Sequence, residues 1–166
     1  MQLSLMFDIV RTLAVVLGIF FGLIQLGQYR RSRKRESTLY LLNSMKTKEF
    51  VGGLWIIQGL RDGMTKIQIE EELDGELESI IYVMSVWETI GMLLFHHEIT
   101  IDLVDNAFSG PILFSWQKLE RYVHDFRKEM GRETHFEWFQ WLSDRMKERE
   151  HLRSRVPAYA SNQGWK

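Results

Sequence analysis

Hydrophobic positions along the chain form one long apolar run near the start and a series of shorter amphipathic stretches after it. The run extends from Thr12 to Tyr29, eighteen residues without a charge. As an α-helix it would be about 27 Å long, close to the hydrocarbon thickness of a bilayer. Five basic residues follow at once, and they are Arg30, Arg31, Arg33, Lys34 and Arg35. Residues 1–35 are therefore predicted to form a single transmembrane anchor with a basic stop.

The basic run also determines the predicted orientation of this anchor. Cations that flank a membrane helix stay on the cytoplasmic side, where they contact lipid headgroups. We therefore expect the N-terminus outside and the rest of the chain in the cytoplasm. A cleaved signal peptide and a buried helix of a soluble protein are the alternatives. A signal peptide carries its positive charge before the apolar core, and a buried helix needs no dense basic flank.

Small residues recur every four positions within the run, at Ala14, Gly18 and Gly22. They share one face of a helix, and small residues let two helix backbones approach closely in lipid. This face is predicted to mediate self-association. Chance is the alternative, since glycine is common in membrane helices.

The rest of the chain shows helical spacing and helix-capping residues, whereas strand signals are weak. The predicted helices are Thr47–Arg61, Thr65–Leu73, Glu76–His96, Thr100–Phe108, Gly110–Met130 and one that opens at a capping box of Thr134 and Glu137. Thr65 and Gln68 form a second predicted capping box, Thr100 is a predicted cap, and Gly131 is predicted to end its helix. The prediction is an all-α fold, in which the single transmembrane helix precedes a compact five- or six-helix cytosolic bundle at residues 36–152. Residues 153–166 lack apolar periodicity and are predicted to be a flexible tail.

One of these stretches is apolar enough to raise the question of a second membrane segment. Between Ser79 and Phe95 the sequence carries a single charge, Glu88. A membrane span would place this carboxylate in the middle of the bilayer at a cost of several kcal/mol, and no basic flank follows it. We prefer a central buried helix of the bundle, and the second span stays open as an alternative.

Composition narrows the classes of function. Residues 36–166 carry 15 Lys and Arg against 21 Asp and Glu, a poor electrostatic match for nucleic acid. The chain has no cysteine, which excludes disulfides and thiolate metal sites. A single Glu-x-x-His, at Glu148 and His151, falls short of the paired motifs of a di-iron bundle. No nucleophile or phosphate-binding motif is present, so we expect no catalytic residue, cofactor or metal.

Three residues of the helical region are candidate site residues. Glu88, a carboxylate on an apolar helix, needs a partner or a shifted pKa. It is interpreted as a structural residue that joins helices through a buried hydrogen bond or ion pair, for which an Arg or Lys of the helix at residues 112–130 is one candidate partner. A ligand- or proton-sensing site is the alternative. Trp116 is interpreted as buried core rather than the lining of a ligand pocket. Trp141 is predicted to project from the domain and contact a partner.

Several segments together resemble a known family. They are Trp87-Glu-Thr-Ile-Gly-Met-Leu-Leu, Ile99-Thr-Ile-Asp-Leu-Val, Gly110-Pro-Ile-Leu-Phe-Ser-Trp and His135-Phe-Glu-Trp-Phe-Gln-Trp-Leu. In order and spacing they are similar to an uncharacterised bacterial family with an N-terminal membrane helix and a small all-helical cytosolic domain of unknown function. The resemblance covers roughly residues 10–146, and Glu88, Gly91 and Trp116 match its most recognisable positions. It implies the architecture, a bacterial inner membrane included, and no chemistry.

The predicted function follows from the anchor and the domain together. We expect an interaction or sensory module, fixed to the membrane, that presents its helical domain to the cytoplasm. Its expected partners are the lipid bilayer, further copies of the same chain, and an unidentified cytoplasmic protein or small ligand. One alternative is a membrane effector whose clustered anchors permeabilise the inner membrane on a signal. An anchored enzyme is the other.

Overall fold

The computed structural model describes the backbone of residues 2–73, 75–152, 156–161 and 163–164. It describes the side chains of residues 15–29, 32, 36, 39, 41–73, 75–150, 156–157, 159–160 and 163–164. The helices in these ranges are α1 (Gln2–Ser44), α2 (Lys48–Gly59), α3 (Lys66–Glu72), α4 (Leu77–Phe95), α5 (Ile101–Met130), α6 (Glu137–Leu152) and α7 (Ala158–Ser161). The described ranges contain no strand, so the predicted all-α class is confirmed for them. The short helix α7 falls within the stretch predicted to be a flexible tail.

The chain divides into two units after residue 39. The first unit is the long N-terminal part of α1. Its side chains from Val15 to Tyr29 are all exposed, and the large apolar ones have exposed fractions between 40% and 63%. The second unit contains the last turn of α1 and the helices α2 to α7. The predicted boundaries between anchor, domain and tail stay predictions.

Helix α4 is the centre of the second unit. It packs against α2 on one side and α6 on another, while α5 packs against α6, α2 and α3. Its buried residues are Ile80, Val83, Met84, Val86, Trp87, Ile90, Gly91 and Leu94. Two glycines allow the neighbouring backbones to come close. A Cβ on Gly53 would overlap the carbonyl oxygen of Ser79, and a Cβ on Gly91 would overlap that of Trp138.

The packing of α4 bears on the question of a second membrane segment. Among the described residues, α4 is the one helix with the length and hydropathy of a membrane span, and 44% of its apolar window is buried within the protein. The apolar stretch Val15–Tyr29 is shorter than this criterion requires. Because α4 supplies eight buried residues to the core of the helical domain, its packing favours the interpretation as a central buried helix.

Most of the helix ends follow the predicted capping residues. The hydroxyl of Thr47 accepts a hydrogen bond from the backbone N–H of Phe50, and Thr65 and Gln68 form the predicted capping box of α3. Thr100 caps α5, and Gly131 ends that helix in the left-handed conformation, with φ of 62°. The predictions for Thr65 with Gln68, for Thr100 and for Gly131 are confirmed, whereas the sequence indicated only that a helix begins near Thr47. At each of these ends a side-chain oxygen or a left-handed glycine satisfies terminal backbone groups locally.

The prediction of two helices around Pro111 is wrong. Helix α5 runs without interruption from Ile101 to Met130 and contains Pro111 in its interior. A proline there removes one backbone hydrogen bond and costs about 3 kcal/mol. The apolar face compensates for this cost, because Val104 and Ile112, eight residues apart, lie on the same side of α5 and are both buried.

Candidate functional site

Glu88, the one charged residue between Ser79 and Phe95 of the apolar helix α4, is half-buried. Its Oε2 accepts a hydrogen bond of 2.7 Å from the backbone N–H of Phe139. Phe139 belongs to the first turn of α6, where backbone N–H groups have no partner within the helix. Glu88 therefore caps the N-terminus of α6 from a neighbouring helix.

This contact takes the place of the capping box predicted from Thr134 and Glu137. Helix α6 begins at Glu137, so Thr134 lies two residues before the capping position. The Oγ1 of Thr134 accepts a hydrogen bond from the Nε of Arg132 at 2.9 Å instead. The predicted capping box is wrong, because the acceptor for the first turn of α6 comes from Glu88 in a distant part of the sequence.

Burial and hydrogen bonding act on the Glu88 carboxyl in opposite directions. Burial, the largest effect, raises its pKa, and the charge of Glu137 raises it further. Hydrogen bonds from the backbone of Phe139 and Trp138, together with the charge of Arg127, lower it. The net result is a raised pKa. Glu88 is thus a carboxyl group that loses water on folding and regains only part of that solvation from the N-terminus of α6.

Arg127 on α5 holds the turn that precedes α6. Its side chain is only 5% exposed. The Nε donates to the carbonyl oxygen of His135 at 2.8 Å, and Nη2 donates to that of Phe136 at 3.3 Å. The Nη1 donates to Oε1 of Gln140 at 2.7 Å. Phe136 has a φ of 54°, which is unfavourable for a bulky residue, and these contacts stabilise the turn that contains it.

Glu88 and Arg127 together fix the start of α6 to the two helices beside it. Glu88 accepts from a backbone N–H in the first turn of α6, and Arg127 donates to backbone carbonyls of the α5–α6 connection. This arrangement favours the structural interpretation of Glu88 over a sensing role. The described hydrogen-bond partner of Glu88 is a backbone group of α6 rather than an Arg or Lys side chain of α5. Arg127 was not predicted from the sequence as a candidate site residue. The available signal was its position four residues after Val123 on the apolar seam of α5, where a buried charge requires partners.

The two tryptophans singled out from the sequence have different surroundings. Trp116 is 1% exposed, and its ring meets that of Phe139 edge-on, with 5.1 Å between the centroids. Trp141 is half-buried, and its ring lies edge-on to Phe95 at 5.8 Å. Phe95 is itself 48% exposed. Trp116 is therefore part of the core, whereas Trp141 is partly buried and packs against the edge of the core. Its predicted contact with a partner stays a prediction.

The predicted self-association face lies in the first unit, and it is only partly described. A Cβ on Gly18 or Gly22 would have no neighbouring atom within 4 Å, so both glycines present open backbone. The other residues assigned to self-association or lipid contact have side chains outside the described residues. They are Ala14, Arg30, Arg31, Arg33, Lys34 and Arg35. Both assignments stay predictions.

A known protein family matches most of the chain. The domain of unknown function DUF4760 matches residues 12–146. The chain belongs to this family. The DUF4760 match contains Glu88, Arg127 and Trp116 and ends within α6, so the expected membership of an uncharacterised family is confirmed. No curated protein and no solved structure matches the chain.

Proposed function

We propose that this protein is a membrane-anchored interaction or sensory module that presents its helical domain to the cytoplasm and self-associates through α1. The observation that carries the proposal is the stretch Val15–Tyr29, an uncharged helical segment whose side chains are all exposed. Soluble proteins rarely expose a continuous apolar surface of this extent. Lipid removes that cost, since each large apolar side chain gains about 1.5–3 kcal/mol when it leaves water.

The flanking charge supports the proposed orientation. Arg30 to Arg35 contain five cations directly after the apolar segment. Such a cluster stays on the cytoplasmic side of a bacterial inner membrane, and each cation near an anionic leaflet contributes about 1 kcal/mol. The helical domain that follows has the opposite net charge. The basic segment, rather than the domain, is therefore the part suited to anionic lipid.

The small residues of α1 support self-association. Gly18 and Gly22 are one helical turn apart and have open space where a side chain would be. A second copy of the helix can approach closely along this face, so that backbone atoms pack directly. Gly27 has the same open surroundings. Its position is nine residues from Gly18, however, which places it on a different side of the helix.

The three glycines provide a matched test. The full-length chain and its variants are extracted from membranes in mild detergent, and the mass of each complex is measured by native mass spectrometry. We expect an oligomer for the wild type and for Gly27→Ile, and a monomer for the double variant Gly18→Ile with Gly22→Ile. A monomeric wild type would contradict self-association. Equal dissociation by Gly27→Ile would contradict the proposed face.

A further inference from the structure

An apolar groove of about 430 Å³ lies between α2, α4 and α5 of the helical domain. Phe50 and Leu54 of α2 and Phe108 and Phe114 of α5 contribute its walls, and Trp87 reaches it from α4. Trp55 also lines the groove and is 71% exposed. A volume of this size falls within the range of about 300–1,000 Å³ typical of small-molecule sites, which are mostly apolar with a few polar groups.

Trp87 lines this groove and carries a buried polar group that has no partner among the described residues. The residue is 0% exposed, and its ring is edge-on to Phe50 at 5.3 Å and tilted towards Phe108 at 6.5 Å. Within the described part of the chain, its indole Nε1–H has no hydrogen-bond acceptor. Buried donors in native proteins nearly always have a partner, since an unsatisfied one reduces stability.

The wall formed by α5 contains a second unusual polar position. Ala107 and Pro111 both line the groove, and they are four residues apart in the same helix. In a regular helix the backbone N–H of residue 111 would donate to the carbonyl oxygen of residue 107, but proline has no N–H. The groove therefore combines aromatic side chains with a stretch of α5 that lacks the regular helical hydrogen bond between residues 111 and 107.

We propose that this groove binds a neutral aromatic molecule that carries a hydrogen-bond acceptor for the indole N–H of Trp87. Aromatic walls favour a flat ring, which packs against them edge-on or offset. Among the described residues that line the groove none is charged, and Gln58 carries their single side-chain amide. A charged ligand would lose its hydration there without gaining a partner. Because neighbouring side chains cover Trp87 completely, we expect the half-buried ring of Phe108 to turn aside on binding.

This site is separate from the proposed membrane anchor. Its lining residues lie between Met45 and Phe114, within the unit that begins at Tyr40. Binding at the groove and self-association through α1 are therefore tested by different measurements. The groove adds to the proposed interaction module a class of ligand and a place in the helical domain where that ligand binds.

Two probes of nearly equal shape test the role of the acceptor. Benzophenone has a carbonyl oxygen between two rings, whereas diphenylmethane has a methylene group there. The full-length chain, with ¹⁵N-labelled tryptophan, is placed in lipid nanodiscs and titrated with each probe, and empty nanodiscs correct for partition into lipid. The Trp87→Phe variant assigns the Trp87 indole signal. We expect benzophenone to move that signal downfield and to bind about fivefold tighter than diphenylmethane, the difference that one net hydrogen bond supplies.

A groove-filling variant locates the binding. Ala107→Phe places a ring in the groove from an exposed helical position, and Ala160→Phe makes the same change at an exposed position outside it. We expect Ala107→Phe to weaken benzophenone binding about tenfold or more and Ala160→Phe to leave it unchanged. The proposal is overturned if neither probe binds, if both bind equally with the Trp87 signal unmoved, or if the two variants behave alike.

Discussion

At the scale of single residues, the most consequential contact is the hydrogen bond from the Phe139 backbone N–H to Glu88. The position of Glu88 as the one charge in the apolar stretch from Ser79 to Phe95 was enough to single it out from sequence. Its partner was not predictable in the same way, since Thr134 and Glu137 offered a complete local capping pattern. Which acceptor caps α6 depends on how closely α4 approaches, and Gly91 sets that distance against the backbone of Trp138.

The raised pKa of Glu88 gives a pH dependence with a definite sign. Because the folded protein holds the Glu88 proton more tightly than the unfolded chain, the contribution of this group to stability is largest at low pH. It is lost as the pH rises through the raised pKa of the folded state. The neutral amide in Glu88→Gln has no such loss. We expect the unfolding free energy of Glu88→Gln to improve relative to that of the wild type between about pH 4 and about pH 7.

Urea denaturation of the full-length chain in detergent, followed by tryptophan fluorescence at several pH values, measures this difference. Glu120→Gln changes an exposed carboxylate on α5 and serves as the matched control. Identical pH profiles for wild type and Glu88→Gln would show that burial does not perturb Glu88. Glu88→Ala, which leaves the Phe139 N–H without its acceptor, is expected to cost about 1–3 kcal/mol at low pH, where the contribution of Glu88 is complete.

At the scale of helices, sequence patterns predicted which segments are helical better than they predicted where each helix begins and ends. Caps such as Thr65 and Gln68 were predictable because every group they need lies within one turn. Pro111 was misleading because proline is most common in the first turn of a helix, where it costs little. In α5 the proline lies within an apolar face that is buried on both sides of it, and the packing of Val104 and Ile112 outweighs the local preference. Local rules fail where a tertiary contact supplies the compensation.

The adjacent glycines of α2, Gly52 and Gly53, differ in the space around them. Replacing either glycine with alanine raises the helix propensity of that position, which stabilises a helix by about 0.5–1 kcal/mol. Gly52 has open space for the added methyl group, but at Gly53 the Cβ would overlap the backbone of Ser79 and the side chain of Val83. We expect Gly52→Ala to raise the unfolding free energy and Gly53→Ala to lower it by about 1–3 kcal/mol.

Thermal denaturation monitored by circular dichroism compares the two variants under the same conditions. Each variant is the control for the other, since the substitution and the helix are the same. Equal stabilisation by both would mean that α2 and α4 are not in close contact at Gly53. Such a result would contradict the packing that makes α4 the central helix of the domain.

At the scale of the whole molecule, the sequence separates an apolar N-terminal segment from an amphipathic helical domain. The all-α class was predictable because helical periodicity and caps recur along the chain. The groove beside Trp87 was not, since its walls come from α2, α4 and α5 and their apolar residues read as ordinary core. A groove of this kind depends on the spaces that remain between packed helices, which no single segment encodes.

The central claim is that residues 12–29 anchor a cytoplasmic helical domain in the membrane. The absence of native cysteine allows a direct measurement with two single-cysteine variants, Ser4→Cys and Gln163→Cys. Spheroplasts that express each one are treated with a membrane-impermeant maleimide before and after permeabilisation. We predict that Ser4→Cys is labelled in intact spheroplasts, that Gln163→Cys is labelled only after permeabilisation, and that both proteins resist alkaline extraction from the membrane. Release of the protein by alkaline extraction, or labelling of Gln163→Cys in intact spheroplasts, would contradict the claim.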